Sequence, residues 1–143
     1  MVIDLAHSSP ATMDEVLDLA TRPVVVSHGG VRATCDVNRN LNDDQIRRIA
    51  AGDGLIGIGY WDAAVCDTSP QGIVAAMDHV RKLVGVEHIA LGSDFDGAVS
   101  TEFDTTGLVL LTQELQENGY READIRLVMG GNAVRFLREN LPQ

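Results

Sequence analysis

Cysteine is scarce: only Cys35 and Cys66 occur in 143 residues, and no Cys-x-x-Cys pair is present. That excludes a disulfide-rich scaffold and the structural zinc-finger classes. Neither cysteine has a base close to it in sequence, so both read as small packing residues. Basic charge is scarce as well. Eleven Lys and Arg stand against 21 Asp and Glu, a net charge of −10. This argues against nucleic acid or an anionic membrane surface as partner, whose phosphates would be repelled. No apolar run approaches the roughly 20 residues of a membrane span. The opening Met1-Val2-Ile3-Asp4 has neither the basic flank nor the apolar stretch of a signal peptide. Low-complexity tracts, linkers and solenoid repeats are absent. With 45% hydrophobic and 22% charged residues, the chain can bury a core. The expectation is one domain, residues 1–143, of a cytoplasmic protein.

What is present is an alternation of short apolar runs with helix-like stretches. Val2-Ile3-Asp4-Leu5 is followed by Ser9-Pro10, a capping serine before a proline suited to the first helical position, and a helix over 11–20. Val24-Val25-Val26 is apolar on both faces, as in a parallel strand covered on both sides. After a long loop, Asn42 and Gln45 have capping-box spacing and open a helix over 43–51, ended by Gly52 and Gly54. Leu55 to Tyr60 is the third run, and Ser69-Pro70 opens a helix to about Val84. Ile89 to Gly92 is the fourth run, and helices are expected over 106–118, 122–129 and 132–140. Strands alternating with helices predict a parallel α/β sheet with right-handed crossovers. An open doubly wound sheet and part of a (β/α)8 barrel both satisfy this order, and a complete barrel needs about 250 residues.

Polar residues gather just after the apolar runs. His7 follows the first, His28 the second, Tyr60 closes the third, and Asp94 and Asp96 follow the fourth. The C-terminal strand ends of a parallel sheet share one edge, where ligands bind. Two imidazoles and a carboxylate there make a donor set for a divalent metal such as Zn2+. The competing reading is a set of hydrogen-bonded loop histidines beside an Asp-rich turn, Gly92 to Gly97. His79 reads as a helix-surface or packing residue and His88 as a strand-entry residue. Arg32 and Arg39 lie in the loop after His28. A guanidinium there could hold a carboxylate through a bidentate pair, or simply be solvated. No Gly-x-Gly-x-x-Gly follows the first strand, which weakens a nucleotide-binding reading.

Four stretches, Asp4-Leu5-Ala6-His7, Pro23 to His28, Asn38 to Asp43 and Gly92 to Gly97, resemble the C-terminal half of the membrane (renal-type) dipeptidases, peptidase family M19. Gly131-Asn132-Ala133-Val134-Arg135 resembles that family's closing helix. The resemblance implies an α/β fold of the (β/α)8 TIM-barrel type found in metal-dependent hydrolases, with strands five to eight present. It implies a binuclear Zn2+ site whose water splits dipeptides. His7 and His28 would be ligands of one zinc. Asp94, rather than Asp96, would serve the other zinc and act as the catalytic acid–base. Arg39 would bind the carboxylate of the dipeptide substrate, and Tyr60 carries no assigned role. The family's His-x-Asp pair and bridging glutamate have no counterpart here. A partner is therefore expected, either the missing N-terminal half or a second copy. The alternative is an inactive remnant or interaction module that keeps the fold.

Overall fold

Four short parallel strands form one sheet in the order β1-β2-β3-β4, so each strand pairs with the next in sequence. The computed structural model describes residues 1–142. The strands are β1 (Ile3–Asp4), β2 (Val24–Gly29), β3 (Leu55–Ile58) and β4 (Ile89–Leu91). The helices are α1 (Pro10–Leu19), α2 (Asp43–Ala51), α3 (Asp62–Val65), α4 (Pro70–Val84), α5 (Leu108–Glu117), α6 (Glu122–Arg126) and α7 (Asn132–Asn140). The parallel α/β order expected from the sequence is present.

Local chemistry accounts for the helix starts. Ser9 Oγ accepts from the Thr12 amide at 3.1 Å ahead of Pro10, and Ser69 does the same for Gly72 ahead of Pro70. Asn42 and Gln45 form the full capping box: the Gln45 amide donates to Asn42 at 2.9 Å, and the Asn42 amide to Gln45 at 3.2 Å. Each cap satisfies amides the helix itself leaves unpaired, worth about 1 kcal/mol.

Residues in register share a face of a sheet. Val25 aligns with Leu55, and Gly57 with Ala90, on one face. Val24, Val26, Ile56, Ile58 and Ile89 point to the other and join the main core with Met13, Ile46, Ile49, Ile73, Met77 and Val80 of α1, α2 and α4. The first face is covered differently. Phe136 and Ala133 of α7 pack there on Leu55, Ala90, Val25 and Val2. Asn132 pins the start of α7, donating to the carbonyls of Val86 and Ile89 at 2.8 and 2.9 Å.

Several boundaries differ from expectation. β1 is two residues long, because only Ile3 and Asp4 have partners on β2. β2 runs on to Gly29, whereas β3 stops at Ile58, before Gly59 and Tyr60. α3 has no apolar periodicity long enough to announce it. The expected helix over 122–129 ends at Arg126, and a wider turn over Leu127–Gly131 leads into α7. Gly130, at φ 148°, makes that bend in a region that side-chain-bearing residues avoid.

Candidate functional site

The register of β2 against β3 slips between Val26 and Gly29: three steps on β2 match the two from Ile56 to Ile58. The extra residue is a bulge at Ser27–His28. Strand alternation would send His28 to the same side as Val24 and Val26. The bulge re-aims it toward the sheet edge, a common use of bulges beside sites. There its Nε2 lies 2.8 Å from the Nε2 of His7, with ring centroids 4.8 Å apart. His7 follows β1 with φ 63°, in the left-handed region. A side chain held there costs of order 1–3 kcal/mol and persists only where the surroundings impose it.

One carboxylate imposes it. Asp4 Oδ1 accepts from the amides of Ala6 and Ser27, both at 3.0 Å, and so ties the turn into His7 to the bulge carrying His28. Burial pushes the Asp4 carboxyl up. Hydrogen bonding from the Ser27 side chain and the two amides, with the nearby His28, outweighs this and leaves it below the usual carboxylate range. Ser27 Oγ also lies 2.9 Å from His28 Nδ1.

Asp94 is the second candidate in left-handed backbone, at φ 57°, just after β4. Gly97 leaves it room: a Cβ at Gly97 would fall 2.5 Å from the Asp94 carboxylate. Asp94 is half-buried and Asp96 exposed. β3 separates β4 from β2, so Asp94 and His28 come from strands two spacings, about 10 Å, apart. Among the described residues no three His, Cys, Asp or Glu side chains converge on an ion-sized site. The histidine pair by itself fits zinc chemistry. Its two nitrogens stand close to the ~3.3 Å separation that bonds of about 2.0 Å to one tetrahedral ion require. It offers two of the three or four ligands such an ion takes.

Arg39 belongs to the same edge. Its Cζ lies 4.8 Å from the centroid of the Trp61 ring, and that ring lies 5.8 Å from the ring of His28. Its Nε is buried without a hydrogen-bond partner. Gly59 makes space for the indole, since a Cβ there would meet the Trp61 ring at 2.2 Å. Asn40 anchors the loop beside Arg39, donating to the carbonyls of Cys35 and Ala64 at 2.8 and 2.9 Å. Arg32 is a loop strut whose Nε donates to the Asn40 carbonyl at 3.2 Å.

The reading of Cys35 and Cys66 as packing residues is overturned: they form a disulfide. It joins the β2–α2 loop, with Arg39, to the end of α3. The signal was available, since both cysteines lie in loops at the C-terminal ends of neighbouring strands. Trp61, the only tryptophan, was missed because nothing in its spacing marks it. Tyr60 is fully buried against Phe95 and Phe103, both at 5.6 Å between centroids, and its hydroxyl has no partner. Burial pushes its phenol up. His79 pairs with Asp43 at 2.8 Å and His88 with the Gly54 carbonyl at 2.9 Å, both away from the edge as expected. No helix among the described residues is long and apolar enough to cross a membrane.

The family model for membrane dipeptidase (peptidase family M19) matches residues 1–141. Dipeptidase aclJ of Aspergillus oryzae is 34% identical over 96% of this chain and 34% of its own length. An uncharacterized protein of Klebsiella pneumoniae, from the pqqA 5′ region, is 31% identical over 96% of this chain and 54% of its own. A metallo peptidase from Rhodobacter sphaeroides, solved with a phosphinate mimic of the dipeptide L-Ala-D-Ala, superposes with TM-score 0.89 at 27% identity. The match covers 96% of this chain and 42% of that one. The chain thus spans between about a third and a half of these relatives. By its sequence and its fold, the chain belongs to the membrane dipeptidase family, peptidase family M19.

Proposed function

We propose that this chain forms the C-terminal half of a (β/α)8 barrel that hydrolyses dipeptides with Zn2+. The observation that carries the proposal is the convergence of His7 and His28 through Nε2 at the C-terminal strand edge, with Arg39 on the same edge. Their chemistry suits a zinc ion, whose contribution when bound is Lewis acidity and a water of lowered pKa. His7 and His28 would hold one metal. Asp94 would serve the second metal and would act as the acid–base group that gives a proton to the leaving amine nitrogen. Arg39 receives the free carboxylate of the dipeptide and so fixes the scissile bond over the metal edge. The dipeptide mimic bound by the Rhodobacter sphaeroides relative supports this substrate class.

The two edges of the sheet support the need for a partner. β1 and β4 each have one neighbour, and Ile3 on β1 is 44% exposed. We propose that these edges meet the strands that complete the ring, which bring the remaining metal ligands. The test is zinc content, mass in solution and dipeptide hydrolysis, measured on the chain alone and with an N-terminal half from a relative. Bound zinc and turnover in the paired sample support the proposal. A pair that assembles and neither retains zinc nor hydrolyses dipeptides overturns it, and leaves an inactive remnant with the family fold.

A further inference from the structure

Between the α3 segment and the loop after β4 lies a cleft of about 590 Å³. Trp61, Asp62 and Thr68 form one wall, and Ala98, Val99 and Ser100 form the other. Its size falls within the roughly 300–1,000 Å³ of small-molecule pockets. Both walls are held in place. The Cys35–Cys66 bond fixes the end of α3. Phe95 and Phe103 anchor the opposite loop on Tyr60, and Thr68 Oγ1 donates across to Glu102 Oε1 at 2.7 Å.

Trp61 belongs both to this cleft and to the seat of Arg39. A dipeptide carries its free carboxylate and the side chain of its C-terminal residue on the same carbon. With the carboxylate on Arg39, that side chain is the part of the substrate nearest the cleft. Trp61, Ala98 and Val99 offer it apolar surface. Asp62 offers it charge. Its Oδ1 accepts from the Ala63 amide at 2.7 Å. Neither Asp62 nor Glu102 takes part in an ion pair among the described residues. No Lys or Arg lines the cleft.

We propose that this cleft is the subsite for the C-terminal side chain of the dipeptide, and that it selects a long basic one, lysine or arginine. The stem lies on Trp61 and Val99, and the cation reaches Asp62. The proposal rests on the reading of Arg39 as the carboxylate anchor. A cation on a flexible aliphatic stem matches both parts of the wall. An acidic side chain meets Asp62 with like charge. Asp62 is exposed, so the preference is modest, about 3- to 10-fold.

Trp61 is the only tryptophan, so the intrinsic fluorescence of the full chain reports this cleft and needs neither metal nor turnover. The probes are Gly-Lys, Gly-norleucine and Gly-Glu, which differ only in the C-terminal side chain. Gly-Lys should bind about 3- to 10-fold tighter than Gly-norleucine, and Gly-Glu more weakly than both. Gly-lysinamide, which lacks the carboxylate, should bind more weakly than Gly-Lys. Asp62→Asn can still accept from the Ala63 amide and should erase the preference for Gly-Lys. Asp62→Lys should reverse it in favour of Gly-Glu. Equal binding of the three dipeptides, or any other order, overturns the proposal and leaves the Arg39 anchor standing. So does a preference for Gly-Lys that survives Asp62→Asn in a chain folded by circular dichroism. Gly-lysinamide binding as tightly as Gly-Lys overturns the assignment to the C-terminal side chain. Fluorescence unmoved by every peptide overturns the subsite and the anchor together. Selective Gly-Lys binding by a chain whose pairing with an N-terminal half yields no hydrolysis supports the subsite and removes the catalytic reading alone.

Discussion

The guanidinium of Arg39 lies 4.8 Å from the centroid of the Trp61 ring, and none of the ion pairs among the described residues includes it. The chain is strongly acidic, yet this half-buried arginine keeps a buried Nε with no hydrogen-bond partner. On the proposed reading, the indole supports the guanidinium and its free edge takes the carboxylate of the dipeptide. In the proposed assembly with an N-terminal half, Arg39→Ala is expected to lower kcat/KM for a dipeptide by about 10- to 100-fold, the worth of hydrogen bonds to a charged group. Arg39→Lys should recover only part, because an ammonium keeps the charge and loses the fork and the stacking. Against a C-terminally amidated dipeptide the three proteins should be nearly equal. A full-sized loss on the amide would show that Arg39 acts on folding instead.

His7 should trade stability for metal. At φ 63° it occupies a region natural to glycine. His7→Gly is expected to raise the stability of the metal-free chain by up to about 1 kcal/mol, the relief of left-handed strain less the entropy of the extra glycine. The same variant, and His28→Ala, should abolish zinc binding by calorimetric titration. Unchanged zinc affinity in either would remove the pair from the metal site.

The Cys35–Cys66 bond closes a loop with a sequence separation of 31. Chain-entropy reasoning predicts a loss of about 3–4 kcal/mol when it is opened. Urea unfolding with and without a thiol reductant checks this directly. The Cys35→Ser, Cys66→Ser double variant should match the reduced wild type and ignore the reductant. The loss should be largest around Arg39, whose loop the bond ties to α3.

Both tyrosines are held neutral by burial. Tyr60 is pushed up by burial alone. Tyr120 is pushed up by burial and further by Asp78 and Asp124, with Arg81 opposing. A raised folded-state value means that ionisation favours the unfolded chain. The contribution of these phenols is therefore intact below the ordinary value of about 10 and is lost as pH rises above it. Ultraviolet titration should show no tyrosinate near pH ~10, then a single step for both residues that coincides with loss of circular dichroism. A free tyrosine titrating at the ordinary value would contradict the burial of one of them.

Phe136 closes the sheet face that α7 covers, with 2% of its surface exposed. Phe136→Ala should cost about 3–5 kcal/mol. Thermal unfolding measures it, and a loss under about 1 kcal/mol would mean that α7 is only loosely docked.

Much of the fold was legible because its signals are local. Ser9-Pro10, Asn42 with Gln45 and Ser69-Pro70 mark helix starts through bonds spanning three residues, and each formed as expected. The apolar runs marked the strands, and their alternation with helices implied a parallel sheet. His7 and His28 could be placed together because the C-terminal ends of neighbouring parallel strands share an edge. What the sequence could not decide depends on atoms brought together from far along the chain. The bulge that turns His28 exists only in the pairing of β2 with β3. The disulfide, the seat of Arg39 on Trp61 and the double grip of Asp4 all join separate loops. Local propensity acts over a few residues, whereas these contacts depend on distances that only the packed sheet sets. The sequence alone determined which residues could do chemistry and on which edge they lie; the tertiary structure decided which of them touch.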